Sequence, residues 1–123
     1  MGFLEKFGLF NKRKDQRIEL PTPIKCFCAY RLRSGENGEY AALITNFSEG
    51  GLLLGVNKGK IPAGAEAEVR FQLPRHLEGV SVHGTVIRSY PERPQVWSYV
   101  AIQFANKEEA GVRLLLSFIL GKL

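Results

Sequence analysis

A chain of 123 residues, 45% hydrophobic, is long enough for one domain with a modest core and too short for two. Its net charge of +5 is uneven, because residues 1–17 hold Lys6, Lys12, Arg13, Lys14 and Arg17 against only Glu5 and Asp15. So compact a basic cluster favours a small anionic partner over a long nucleic acid.

Taken in order, residues 1–11 place Phe3, Phe7 and Phe10 at helical spacing, interrupted by Gly8. They read as an N-terminal arm that packs its rings on the domain or meets a partner or membrane surface. Residues 12–123 form the domain proper. Pro21 and Pro23 exclude a helix. Alternating stretches then predict strands over Ile24–Arg33, Tyr40–Thr45, Leu52–Val56, Ala65–Leu73, Val80–Tyr90 and Val96–Phe104. The first two are joined by a hairpin containing Asn37-Gly38. Ala67, Val69, Phe71 and Leu73 share one face of the fourth, and alternation slips at Val86-Ile87, the mark of a bulge. On the last strand Val96, Val100, Ile102 and Phe104 face inward, which turns Trp97 and Tyr99 outward. Six short antiparallel strands favour a closed barrel without exposed edges. Asn106 to Glu109 resembles a capping box, predicting a helix that runs to about Leu120 and stops near Gly121. That helix is apolar around most of its girth, so part of it is available for a dimer or partner contact.

Cys26 and Cys28, the only cysteines, fall on one face of the first strand and read as buried apolar groups. A pair without further ligands makes a poor metal site. His76 and His83 have no partners at recognisable spacing. No catalytic triad, paired carboxylates or phosphate loop stands out, so no catalytic residue, metal or cofactor is expected and the protein reads as a non-enzyme. With no signal peptide and no bilayer-length apolar stretch, it is expected to be cytoplasmic, with reduced thiols.

Two short motifs remain. Arg13 and Arg17 share a face whether the chain there is helical or extended, and arginine suits forked phosphate contacts and the acceptor edge of guanine. After 28 residues comes Asn46-Phe47-Ser48-Glu49-Gly50-Gly51, read as a turn. Asn46 and Ser48 supply side-chain donors and acceptors, and the glycines let a ligand approach the backbone. Arg-x-x-x-Arg followed by Asn-x-Ser-x-x-Gly at the start of a small β domain resembles the PilZ family, over about residues 12–120. The resemblance implies a bacterial receptor for the second messenger cyclic di-GMP. The fold implied is mainly β: a six-stranded antiparallel barrel with a C-terminal α-helix and a flexible basic N-terminal arm. It also implies ligand contacts at Arg13, Arg17, Asn46, Ser48 and Gly51. Lys12 is placed to influence ligand stoichiometry, and Trp97 to serve as a stacking platform. One departure is Ala101, where the family often has glycine.

Ligand bridging the two motifs would order the arm onto the barrel and change the surface offered to a downstream protein. The alternatives are an adaptor of the same fold that binds protein and no nucleotide, and a basic barrel that binds single-stranded RNA. The second would need several exposed aromatics along a basic groove.

Overall fold

The computed structural model describes residues 18–57, 60–74, 76–91 and 97–121. Six antiparallel strands close into a barrel in the order β1-β2-β3-β6-β5-β4. They are β1 Ile18–Arg31, β2 Asn37–Ser48, β3 Gly51–Asn57, β4 Glu66–Leu73, β5 His76–Pro91 and β6 Trp97–Phe104, followed by helix α1 Ala110–Ile119. The expected fold class is therefore present. The N-terminal arm, with the Phe-rich residues 3–10, Lys12, Arg13 and Arg17, lies outside the described residues.

Strict alternation sends one set of side chains inward. Cys28, Ile44, Leu54, Val69, Val82 and Val100 are fully enclosed, and Phe47 packs its ring 6.0 Å from that of Phe104. Cys26 and Cys28 take part as predicted, and burial pushes both thiols up to about 12.

The strands run further than alternation alone suggests. β1 starts at Ile18, not Ile24, and passes through both prolines. They fit because the β1–β2 register slips between Glu19 and Ile24, so neither proline has to donate to the ladder. Ile18 and Leu20, which precede the predicted strand start, are strand residues packed on the core. The first hairpin turns at Gly35, with φ 98°, while Asn37-Gly38 already belongs to β2. The slip at Val86-Ile87 is real: Val86 faces Ile102 and Arg88 faces Ala101, which leaves Ile87 as the extra residue of a bulge.

Helix α1 begins later than the capping-box reading placed it. Asn106 Oδ1 does accept a local bond, from the Glu108 N–H at 2.9 Å. Glu109 does not reach back to complete the box and makes no side-chain cap bond on the helix. Its carboxylate goes to β5 instead, accepting the His83 backbone N–H at 3.0 Å and lying 2.6 Å from His83 Nδ1. Val112 and Leu115 are buried against the barrel. Gly111 permits this approach, since a Cβ there would lie 1.9 Å from the Ser81 carbonyl oxygen.

Two predictions concern this junction. Gly111→Ala must push the helix off β5, and should lower unfolding free energy by about 1–3 kcal/mol in urea titrations. An unchanged midpoint would show that the helix is not seated by this contact.

His83 is raised above its ordinary value of 6.5, first by the hydrogen bond its ring donates to Glu109, with Glu68 adding to it and partial burial opposing. A folded value above the unfolded one means that protonated His83 stabilises the fold fully below pH 6.5. That stabilisation is lost as pH rises through the folded value. The urea midpoint of the wild type should therefore fall relative to His83→Gln as pH rises above 6.5. Parallel pH profiles would refute the linkage.

Candidate functional site

The Asn46-to-Gly51 motif is not a free turn. Asn46, Phe47 and Ser48 close β2, Gly51 opens β3, and only Glu49 and Gly50 lie between. How its side chains are aimed depends on one residue. Ile44 pairs with Leu54, but Asn46 pairs with Leu53, so Thr45 is an extra residue on β2. Its hydroxyl donates to the Leu53 carbonyl at 3.2 Å. An odd insertion reverses the parity of a strand. Phe47 then enters the core, and Asn46 and Ser48 fall on the outer face.

Ser48 is fully buried even so, with its Oγ accepting the Gly50 N–H at 3.1 Å. The Gly50 carbonyl accepts from Phe104 N–H at 2.9 Å, which fixes the turn to β6. Glu49 reaches sideways, 3.2 Å from Arg113 on α1. Of the candidate residues, Asn46, Ser48 and Gly51 are thus brought together. Trp97 contributes backbone to β6 opposite Asn57, and its side chain lies outside the described part. Ile18, the residue bonded to Arg17, stands opposite Phe47, next to Asn46 and Ser48.

The outer face beside the motif has a floor that the sequence did not single out. Asn46, Leu53, Ala101 and Arg88 are paired in succession across β2, β3, β6 and β5. Leu53 and Ala101 turn away from the core, yet each is only 2% exposed, packed with Ile87 and Tyr99. Gly51 and Gly55 flank Leu53 on its strand. Ala101 is accommodated without disturbing the β3–β6 register, so its replacement of glycine leaves this surface intact. A separate groove of about 870 Å³, walled by Phe27, Leu43 and Arg70, contains none of the candidate residues.

The PilZ domain profile matches residues 11–121. The chain belongs to the PilZ family. No curated protein matches it significantly. Among solved structures it resembles the PilZ domain with c-di-GMP of YcgR from Escherichia coli, at 16% identity, TM-score 0.61, over 90% of this chain and 91% of that one. It also resembles the Bacillus subtilis inhibitor of motility MotI/DgrA, at 15% identity, TM-score 0.64, over 92% and 51%. A third is the K. pneumonia MrkH–c-di-GMP complex, at 19% identity, TM-score 0.59, over 91% and 54%. The PilZ chain thus spans about half the length of the MotI and MrkH chains.

The enclosed hydroxyl of Ser48 gives a prediction that does not depend on any ligand. Ser48→Ala leaves the Gly50 N–H without its acceptor and should cost about 1 kcal/mol of stability in the ligand-free protein. A melting temperature equal to that of the wild type would mean the hydroxyl is not needed to hold the turn.

Proposed function

We propose that the protein is a cytoplasmic receptor for cyclic di-GMP, not an enzyme, and that ligand orders residues 12–17 against the barrel. The observation that carries this reading is the clustering of the second motif beside Ile18, the first described residue after the arginine motif. Asn46, Ser48 and Gly51 share the end of the β2–β3 hairpin, and Arg17 is bonded to a residue in the ladder beside them. Membership of the PilZ family and two structural neighbours solved with c-di-GMP support it.

In this reading Arg13 and Arg17 grip phosphate and the acceptor edge of guanine, where a planar fork gives paired charge-assisted bonds. Lys12 adds a point charge. The half-buried Asn46 amide reads a guanine edge, Ser48 shapes the turn beneath it, and Gly51 keeps the backbone clear. Trp97 offers a ring for stacking on a base. Ordering the basic segment costs roughly 1–2 kcal/mol per residue, so affinity is moderate and part of the contact energy becomes conformational change. A downstream protein then reads the altered surface. The RNA alternative gains little support: among residues whose side chains are described, Phe27 is the only exposed aromatic, and it lies in the separate groove.

Calorimetric titration tests the reading. Wild type should bind cyclic di-GMP at physiological salt and prefer it to cyclic di-AMP. Arg13→Ala and Arg17→Ala should each weaken binding about tenfold or more, in line with charge-assisted bonds worth roughly 1.5–3 kcal/mol. Asn46→Ala should chiefly reduce discrimination between the two dinucleotides. Trypsin should cut after Arg13, Lys14 or Arg17 in the free protein and be blocked at saturating ligand. Absence of binding by the wild type sinks the receptor, and cleavage unaffected by bound ligand sinks the ordering step.

A further inference from the structure

We propose that Arg88 on β5 is a further ligand-binding residue, a third arginine that closes the far side of the site; the inference rests on the cyclic di-GMP reading above. It starts from the pairing register. Asn46, Leu53, Ala101 and Arg88 stand directly opposite one another on four consecutive strands, and directly paired residues project to the same face. That face is fixed as the outer one by the neighbours at each end. Leu52, Leu54, Val100 and Ile102 are enclosed in the core, so Leu53 and Ala101 between them turn outward.

Arg88 joins this line only because of the second bulge. Val86 is buried, 1% exposed, and faces Ile102 inside the barrel. Were the strand regular through Ile87, residue 88 would share the inward parity of Val86, where a guanidinium would be buried at great cost. The insertion turns Arg88 out, onto the surface that Thr45 gives to Asn46. Two bulges, on the two strands that flank β3 and β6, thus bring one polar side chain each to opposite ends of one row.

Between them the surface is built from an enclosed leucine and small residues: Leu53 and Ala101 in the row, with Gly51 and Gly55 beside it. Leu53 and Ala101 are each only 2% exposed, with Ile87 and Tyr99 packed against them, so a planar base crossing this row lies on those side chains and beside the glycines. Three strand spacings separate Asn46 from Arg88, about 14 Å along the sheet. Both residues stand on the outer face, one at each end of the row. A ligand whose guanine edge meets Asn46 carries its phosphodiester ring toward β5, where an exposed guanidinium can hold it in a fork. Arg88 already has an interaction within the protein, so the contact adds to it or exchanges it.

The test is a calorimetric comparison of Arg88→Ala, Arg88→Gln and Arg88→Lys with wild type at two salt concentrations. Arg33→Ala, an exposed arginine in the β1–β2 connection, serves as the charge-matched control. Circular dichroism melts establish which variants fold. The Ala and Gln variants should lose about tenfold or more in affinity and show weaker salt dependence, Lys should retain part of the binding, and Arg33→Ala should stay within about twofold of wild type. Wild-type affinity in a folded Ala or Gln variant overturns the role of Arg88 while leaving the receptor reading standing. So does an equal loss in Arg33→Ala, which would make the effect one of net charge. Failure of the wild type to bind overturns the receptor reading itself, and this inference with it.

Discussion

The outer surface of this barrel depends on parity. A β-strand is a two-sided object, and a single added residue exchanges its sides. Thr45 on β2 and Ile87 on β5 are such additions, and both sit at the level of the Leu53–Ala101 pair. On the hairpin side of Thr45 the strand offers Phe47 to the core, and on the other side it offers Ile44. Both large side chains are buried, and the polar residue between them is left for the surface. A regular β2 with Ile44 inward would bury Asn46 and expose Phe47 at once. The hydrophobic demand of the core and the polar content of the site are reconciled by one residue on each flanking strand.

The helix is attached to the same construction at two points. Its N-terminal junction is fixed by a close backbone approach at Gly111 and by the carboxylate of Glu109 on His83. A turn later, Arg113 meets Glu49 within the β2–β3 hairpin. An exposed ion pair of this kind contributes little to stability. Its position matters more than its strength: it joins the only helix among the described residues to the two-residue turn between Ser48 and Gly51. Any displacement of that turn is felt by α1 through side chains already in contact.

Much of this was legible in the sequence, and the failures have physical causes. Period-two alternation marked β4 and β6 and placed Ala67, Val69, Phe71, Leu73, Val100, Ile102 and Phe104 inside correctly; Val96 lies outside the described residues. The slip at Val86-Ile87 was visible because two apolar residues stand side by side. The matching insertion at Thr45 was not, because Asn46, Ser48 and two glycines resemble a turn, and a polar run hides the parity change beneath it. Prolines concealed the start of β1, as they would in any strand with an unbroken ladder; here they occupy a register slip. The helix start was misplaced because the competing partner of Glu109 is His83, 26 residues away, and no local pattern reveals a bond of that range. Arg88 carried no signal of its own. Its significance appears only when the register of four strands is known.

The paired cysteines have a practical consequence. With both thiols inside the barrel and held in the protonated form far above neutral pH, neither presents a nucleophile to the solvent. The native fold should therefore react only slowly with maleimides, mild oxidants and disulfides. A cysteine introduced on the surface would be the single reactive thiol of the folded protein, so a fluorophore or spin label can be attached at a chosen position without first removing the natural pair. Conversely, modification of Cys28, which has no exposed surface, is a direct report of barrel opening.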